Sequence, residues 1–206
     1  MAGTVWRADI QAQLREGARL LEALADDVSV LERGAELLIG AFKTGHKLLL
    51  CGNGGSAADA QHVATELTAR YKRERPALPA IALGTDVTLL TAMSNDYSFD
   101  RVFSRQIEAL GRAGDVLWAF STSGNSPNVL RAVDAARQAG MARVGFSGLT
   151  GGKLAASVEL SLCVASTDTA RIQEVHMAAA HIMCDLVEQA FTPAAEPAIV
   201  QPQPGP

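Results

Sequence analysis

The stretch DVLWAFSTSGNSPNVL at residues 115–130 decides the fold class, because it passes from an apolar run through a hydroxyl-rich turn to a helix start. The run Val116–Phe120 is apolar throughout and is typical of a strand. The turn Ser121–Ser126 carries four hydroxyl groups, and Pro127 is a favoured first residue of a helix. The segment therefore predicts a strand, turn and helix in succession.

The turn itself has two interpretations. Its hydroxyls and backbone N–H groups crowd the start of a helix, whose dipole favours an anion, and Gly124 lets the backbone close on a ligand. An ordinary N-capped helix also begins with Ser and Pro in many proteins, without any ligand. No Lys stands where a P-loop would need one, so a sugar phosphate is a better candidate than a nucleoside triphosphate.

The rest of the chain alternates short apolar runs with helical segments, after two helical patterns within residues 5–44. Strands separated by crossovers of this length indicate βαβ units and a parallel sheet. The prediction is a single α/β domain with a five-stranded parallel sheet flanked by helices, an αβα sandwich of the flavodoxin or Rossmann type, with an N-terminal helical pair. The predicted strands are Lys47–Cys51, Ala80–Leu83, Asp115–Phe120, Ala142–Phe146 and Glu159–Val164.

A second glycine-bearing loop, Gly52–Ser56, follows the first predicted strand. In open parallel sheets, ligands bind beyond the carboxyl ends of the strands. We therefore expect this loop and the turn Ser121–Ser126 to face one crevice, which favours the phosphate interpretation of the turn.

Composition excludes several classes of function. The net charge is −4, and the only basic cluster is Arg70–Arg73, which we interpret as a solvated helix end; this argues against nucleic-acid binding. No stretch has the roughly 20 apolar residues of a membrane span, and the N-terminus lacks a signal-peptide pattern. A cytoplasmic location is expected, with no membrane partner.

The three cysteines, Cys51, Cys163 and Cys184, lie in apolar segments without CxxC spacing, so we expect buried free thiols.

The last helix is predicted from about Asp168 to Ala190. Residues 192–206 hold five of the eight prolines and are expected to be disordered.

Two helices carry polar groups suited to chemistry. His62 and Glu66 are four residues apart and share a helix face, which suits a metal, an acid/base pair or a simple surface ion pair; Asp59 precedes them by one turn. On the last helix, His181 stands among apolar residues, where its pKa is open to tuning, whereas His176 is better explained as a surface or satisfied buried histidine.

Gln173, eight residues before His181, would lie roughly 12 Å from it along a straight helix. Both side chains would have to stretch to meet at a single ion. We therefore expect a site assembled at a subunit interface, with the last helix contributing to a crevice built partly by a neighbour.

Four motifs resemble the phosphoheptose isomerases, a family with the sugar isomerase (SIS) domain: GNGGSAADAQHVATEL at 52–67, SND at 94–96, STSGNS at 121–126 and TARIQEVHMAAAHI at 169–182. The resemblance implies conversion of sedoheptulose 7-phosphate to D-glycero-D-manno-heptose 7-phosphate by a cytoplasmic homotetramer. It also implies N-terminal helices at 1–45 that pack in the oligomer and an SIS domain at 46–191.

The resemblance assigns roles to matching residues. It implies one Zn²⁺ per subunit, held by His62, Glu66, Gln173 and His181. For an aldose–ketose shift through an enediol, Glu66 is the expected base and His181 the acid, with Asp59 as a substitute proton acceptor. The implied substrate-binding residues are Asn53, Gly54, Gly55, Ser56, Glu66, Asn95, Asp96, Ser121, Thr122, Ser123, Ser126 and Gln173.

A non-catalytic alternative shares the fold. A relative of this family resembles it through the GGSAA and ARIQE motifs but associates with the bacterial replication initiator, and it lacks the histidine that corresponds to His181. Because this chain keeps His181 together with His62, Glu66 and Gln173, the enzyme is the favoured interpretation.

Overall fold

A computed structural model describes residues 2–193, with side chains from residue 6 onward. Two helices precede the first strand, and strands then alternate with helices to the end of the described chain. The helices are α1 Ala2–Asp26, α2 Ser29–Lys43, α3 Gly55–Thr68, α4 Val87–Asp96, α5 Ser104–Leu110, α6 Pro127–Gln138, α7 Gly152–Ala155 and α8 Thr169–Phe191. The strands are β1 Leu48–Cys51, β2 Ala80–Ala82, β3 Val116–Phe120, β4 Ala142–Ser147 and β5 Leu160–Cys163.

The five strands form one parallel sheet in the order β2-β1-β3-β4-β5. The order confirms the predicted five-stranded parallel sheet, and each strand lies within two residues of its predicted bounds. Every residue of β1 and β3 is buried, which explains their uninterrupted apolar sequences, because helices cover both faces of such strands.

Alternate side chains of the strands enter two separate cores. Trp118 and its neighbours on one face pack against α2, α3 and α8. Leu117 and its neighbours on the other face pack against α5 and α6. These two cores make the αβα sandwich and fix α3 and α8 on the same side of the sheet, next to each other.

The N-terminal helices cover different surfaces. Helix α2 packs on the sheet through buried residues such as Leu38, whereas α1 contacts α8 and buries Leu20. Trp6, Ile10 and Leu14 of α1 are exposed.

None of the helices in residues 2–193 is long and apolar enough to cross a membrane. Of the tail at 192–206 that the sequence predicts to be disordered, residues 194–206 lie outside the described chain.

The prediction for the cysteines is correct for two of them. All three thiols are free, and Cys51 and Cys184 are buried, but Cys163 is exposed. Cys163 ends β5, which is an edge strand, so its side chain does not face the core as those of Leu160 and Leu162 do.

The interpretation of Arg70–Arg73 as a solvated helix end is wrong. Helix α3 ends at Thr68, and the basic run lies in the loop that follows. The backbone N–H groups of three of its residues bind the buried carboxylate of Glu188 on α8.

Candidate active site

Three side chains meet between α3 and α8. His62 and Glu66 lie one turn apart on α3, and the His62 Nε2 atom is 3.0 Å from Glu66 Oε1. His181 of α8 places its Nε2 atom 3.2 Å from His62 Nε2 and 3.3 Å from Glu66 Oε1. All three ligand atoms lie within 4.8 Å of one another, so we call His62, Glu66 and His181 the triad.

The triad fits a metal ion by its chemistry. Two imidazole nitrogens with lone pairs directed at each other repel, so their approach requires a proton or a cation between them. A carboxylate oxygen faces the same point, and two histidines with one glutamate form a known zinc donor set. Glu66 is buried, and among the described residues its Oε2 atom has no hydrogen-bond partner, so only Oε1 is engaged, by the two histidines.

Gln173, the fourth ligand implied by the resemblance, lies elsewhere in the structure. Its amide rests against Gly55 at the start of α3: a Cβ atom built on Gly55 would come 2.9 Å from Gln173 Cδ. The triad begins almost two turns farther along α3. Gln173 and His181 thus do not meet at one point, as their eight-residue separation predicts. The three triad residues come together within one chain, so His181 needs no neighbouring subunit to reach His62.

The two predicted ligand loops are joined directly. Asn53, in the loop after β1, and Asn128, in the first turn of α6, exchange two side-chain hydrogen bonds of 2.8 Å each. Asn128 is 2% exposed, so this pair is a fixed link and not a surface contact. The glycine loop is therefore linked directly to the helix that follows the hydroxyl turn, which supports the expectation that the two face one crevice.

The hydroxyl turn is organised around Ser121. Its Oγ atom lies 2.9 Å from the Oγ of Ser126 and 3.5 Å from that of Ser123. Gly124 has a φ of 66°, in the left-handed region that glycine adopts without strain. Ser126 precedes α6 without a side-chain capping bond, so its hydroxyl is not used to close the helix. Three clustered hydroxyl groups at a helix start are suited to donating hydrogen bonds to the oxygens of a phosphate.

A cavity of about 250 Å³ adjoins this turn, and the sequence analysis missed most of its wall. The wall is rich in hydroxyl groups from three chain segments that follow β3, β4 and β5. The hydroxyl residues are Thr122, Ser123, Thr150, Ser166, Thr167 and Thr169. The signal was present, because Ser and Thr follow each of these strands, but only the segment after β3 was singled out.

Asn95 and Asp96 lie at the end of α4, and both are exposed. The Asn95 side-chain amide donates to the carboxylate of Asp96 at 2.8 Å. Among the hydrogen bonds of the described residues, neither side chain reaches the triad or the hydroxyl turn. Their predicted role in substrate binding stays a prediction.

Asp59 precedes His62 by one turn of α3. Burial raises the pKa of its carboxyl to about 6, although the nearby His62 lowers it. Within residues 6–193 its buried Oδ2 atom has no hydrogen-bond partner. A carboxyl group with a pKa near neutrality is suited to exchanging protons.

His176 is a structural residue, as the sequence analysis favoured. It is fully buried and its Nε2 atom lies 3.2 Å from the carbonyl oxygen of Ser147. Burial lowers the pKa of His176 to about 4, so the ring is neutral at physiological pH, and the contact to Ser147 only partly offsets this effect. It lines the core between Phe120 and Phe146 and stays outside the triad.

Tyr71 is a site residue that sequence reasoning missed. Its ring stacks on that of His181, with centroids 5.5 Å apart and an angle of 7° between the ring planes. The residue belongs to the loop after α3, whose position depends on contacts more than 100 residues away in sequence, so no local pattern could indicate it.

Comparison with known proteins agrees with this geometry. The SIS domain profile matches residues 14–148. The phosphoheptose isomerase of Roseiflexus sp. (strain RS-1) is 54% identical over 187 residues, covering 90% of this chain and 93% of the relative. That of Geobacter sp. (strain M21) is 52% identical over 182 residues, covering 88% and 95%.

Two solved structures give the same result. The phosphoheptose isomerase of Neisseria gonorrhoeae has a TM-score of 0.84 and 43% identity, covering 89% of this chain and 99% of the other. The phosphoheptose isomerase of Francisella tularensis has a TM-score of 0.83 and 33% identity, covering 92% and 99%. An isomerase, and not a non-catalytic binding protein of the same fold, accounts for these similarities. The chain therefore belongs to the phosphoheptose isomerase family of SIS domain proteins and is a sugar-phosphate isomerase.

Proposed function

We propose that this isomerase converts sedoheptulose 7-phosphate to D-glycero-D-manno-heptose 7-phosphate through an enediol. The reaction would be the first step toward ADP- or GDP-activated heptose. The observation that carries the proposal is the triad; the hydroxyl-rich turn at the start of α6, a helix that Asn128 links to the loop before α3, supports it. The relatives are named phosphoheptose isomerases, which supports a heptose phosphate over other phosphosugars.

The phosphate would bind at the hydroxyl turn. Ser121, Thr122, Ser123 and Ser126 supply hydroxyl donors, and the N-terminus of α6 supplies the favourable dipole. Binding the phosphate away from the reacting carbons would position the sugar and use remote binding energy to lower the barrier. The sugar would contact Asn53, Gly54, Gly55, Ser56, Glu66, Asn95, Asp96 and Gln173.

Proton transfer would be carried out by the triad. Glu66 would remove the proton from the carbon next to the carbonyl, and His181 would exchange protons with the sugar oxygens, each in a state in which it does not hold the metal. Asp59 is the alternative base, because burial raises its pKa to about 6, against the smaller opposing effect of His62. Its place one turn before His62 supports this role.

The triad would hold one Zn²⁺ per subunit, since its two imidazole nitrogens and one carboxylate oxygen converge on one point. When bound, the ion would polarise the carbonyl and hydroxyl oxygens of the sugar as a Lewis acid. Gln173 would join as a fourth ligand only after its amide leaves Gly55, and in its present position it is better suited to contact the substrate.

The isomerase would work as a cytoplasmic homotetramer. The exposed apolar side chains of Trp6, Ile10 and Leu14 on α1 support packing of the N-terminal helices, residues 1–45, between subunits. A neighbouring subunit would also bring Asn95 and Asp96 into use, because one chain leaves both of them exposed and hydrogen-bonded to each other.

The experiment that tests the proposal is NMR detection of product from sedoheptulose 7-phosphate with added Zn²⁺. Wild-type protein should form the aldose, and Glu66→Gln and His181→Ala should lower kcat by at least about 100-fold, the scale of general acid–base catalysis. The matched controls are Glu36→Gln, which alters an exposed carboxylate of α2, and His46→Ala, which alters a histidine before β1. Turnover by all variants at the wild-type rate would overturn the assignment.

A further inference from the structure

Glu188 of α8 is a buried carboxylate with an unusual set of partners. Its Oε1 atom accepts a hydrogen bond of 2.9 Å from the backbone N–H of Tyr71. Its Oε2 atom accepts bonds of 2.7 and 2.9 Å from the N–H groups of Lys72 and Arg73. Although burial opposes it, these three bonds and the nearby Arg75 lower the pKa of Glu188, so the group is ionised at neutral pH.

Arg75 completes the anchoring of this loop. Its side chain is fully buried, and its Nε atom lies 3.5 Å from Glu188 Oε1. Its Nη2 atom donates to the backbone carbonyl of Glu66 at 2.7 Å. The loop after α3 is thus tied both to α8 and to the turn of α3 that carries a triad residue.

The anchored loop holds an aromatic ring against the triad. Glu188 lies two turns after His181 on α8, and the loop segment that it binds begins with Tyr71, whose ring stacks on His181. Within the described residues, the hydrogen bonds of His181 involve Nε2 alone. Metal-binding histidines usually have their other ring nitrogen held by a partner, which fixes the ring plane. Here the stacked Tyr71 ring fixes that plane instead.

We propose that Glu188 is a positioning residue, which holds the backbone of residues 71–73 so that Tyr71 keeps the His181 imidazole oriented toward His62 and Glu66. The inference deepens the proposed function, on which its catalytic consequence rests. A purely structural carboxylate would stabilise the loop without affecting the ring of His181, so the orientation of that ring distinguishes the two roles.

The test measures that orientation without substrate or metal. Protein labelled with ¹³C in the histidine rings gives resolved Cε1–H signals, assigned with His62→Ala, His46→Ala and His181→Ala. The face of Tyr71 shifts the His181 signal upfield, and Tyr71→Ala should abolish this shift while Tyr71→Phe keeps it. Glu188→Gln should move the His181 signal most of the way to its position in Tyr71→Ala.

Asp185→Asn is the matched control. Asp185 lies on the same turn of α8 and contacts the same loop, but through the side chain of Arg73 at 2.5 Å, in a pair that is partly exposed to solvent. Ion pairs that solvent reaches contribute little. This variant should therefore leave the His181 signal in place.

A second readout is the affinity for Zn²⁺ alone, measured by competition with a chromophoric chelator. Loss of an outer partner of a metal ligand typically weakens binding by 10–100-fold. We expect a loss of this size in Glu188→Gln and Tyr71→Ala and none in Tyr71→Phe or Asp185→Asn. Neither readout involves turnover, so failure of the proposed reaction leaves both of them interpretable.

An unchanged His181 signal in folded Glu188→Gln would overturn the inference. Folding is judged from the signal of the buried His176, which belongs to α8 but lies away from the loop. If Glu188→Gln loses that signal as well, Glu188→Asp decides the matter, because it keeps the charge and withdraws the carboxylate from the backbone. Glu188→Asp should give the same shift in His181, and a wild-type signal there would refute the proposal.

Discussion

Gly124→Ala is predicted to damage the hydroxyl turn far more than the size of the added methyl group suggests. A Cβ atom at this position would lie 2.6 Å from the carbonyl carbon of Gly151 and 2.8 Å from the backbone nitrogen of Gly152. Both are backbone atoms at the start of α7, so neither can move aside as a side-chain end would. The turn and α7 are also joined by a 3.0 Å bond from the N–H of Leu154 to the Gly124 carbonyl.

The expected magnitude has two parts. A non-glycine residue in the left-handed region costs about 1–2 kcal/mol. Overpacking against rigid neighbours adds about 1–3 kcal/mol. Gly45→Ala isolates the first part, because Gly45 also has a positive φ of 81° but a Cβ there would meet nothing within 4 Å. Gly124→Ala should therefore be less stable than Gly45→Ala by about 1–3 kcal/mol in chemical denaturation.

The functional consequence separates the two variants further. Since each 1.4 kcal/mol of lost binding is a factor of about ten, opening the turn should raise KM and the inhibition constant of inorganic phosphate by about tenfold or more. Gly45 precedes β1, at the amino ends of the strands and so opposite the carboxyl end of β3 that leads into the hydroxyl turn, and Gly45→Ala should leave both constants unchanged. Equal KM values for the two variants would refute the reasoning that Gly124 shapes a phosphate site.

Three further predictions concern the buried side chains of His176 and Asp115 and the glycine loop at Gly52–Ser56. Because burial lowers the pKa of His176 from 6.5 to about 4, the folded state binds its proton less readily than the unfolded state, so stability is lost as the pH falls below 6.5. The free energy of unfolding of the wild type should fall by about 2 kcal/mol between about pH 8 and pH 5 because of His176, and that of His176→Gln should fall less over the same range. Denaturation at a fixed protein concentration measures both. Asp115→Asn should lower stability at neutral pH by about 1.5–3 kcal/mol, because the buried carboxylate accepts a 2.5 Å bond from the Lys47 ammonium. Burial opposes the lowering of the Asp115 pKa, but the hydrogen bonds from Lys47 and Arg112 outweigh it. The stability difference from wild type should therefore shrink as the pH falls below the ordinary pKa of 3.8. Gly55→Ala should displace the Gln173 amide and raise KM without changing Zn²⁺ affinity, whereas an equal loss of Zn²⁺ affinity would show that Gln173 acts as a metal ligand.

Much of the fold could be predicted because its strands are buried on both faces. An uninterrupted apolar run such as Val116–Phe120 has few alternatives, and its crossover helix begins at a recognisable proline. The edge strand β5 was harder, since a helix covers it less completely, and the exposure of Cys163 follows from that position.

The triad could be predicted in part for a similar reason. His62 and Glu66 share a helix face by spacing alone, and His181 stands out among apolar neighbours. The sequence could not show whether His181 or Gln173 would join them, because that depends on how α8 packs against α3. Glu188 gave no signal at all, since its partners are backbone N–H groups about 115 residues away.

Deuterium incorporation tests the central claim most directly. Sedoheptulose 7-phosphate is incubated in D₂O with Zn²⁺ and either wild-type protein or Glu66→Gln, and the product is analysed by ¹H and ²H NMR. An enediol formed by proton removal at Glu66 predicts deuterium at C2 of the aldose with wild type, and neither product nor label with the variant. Product that retains only hydrogen at C2, together with turnover by Glu66→Gln at the wild-type rate, would contradict the account.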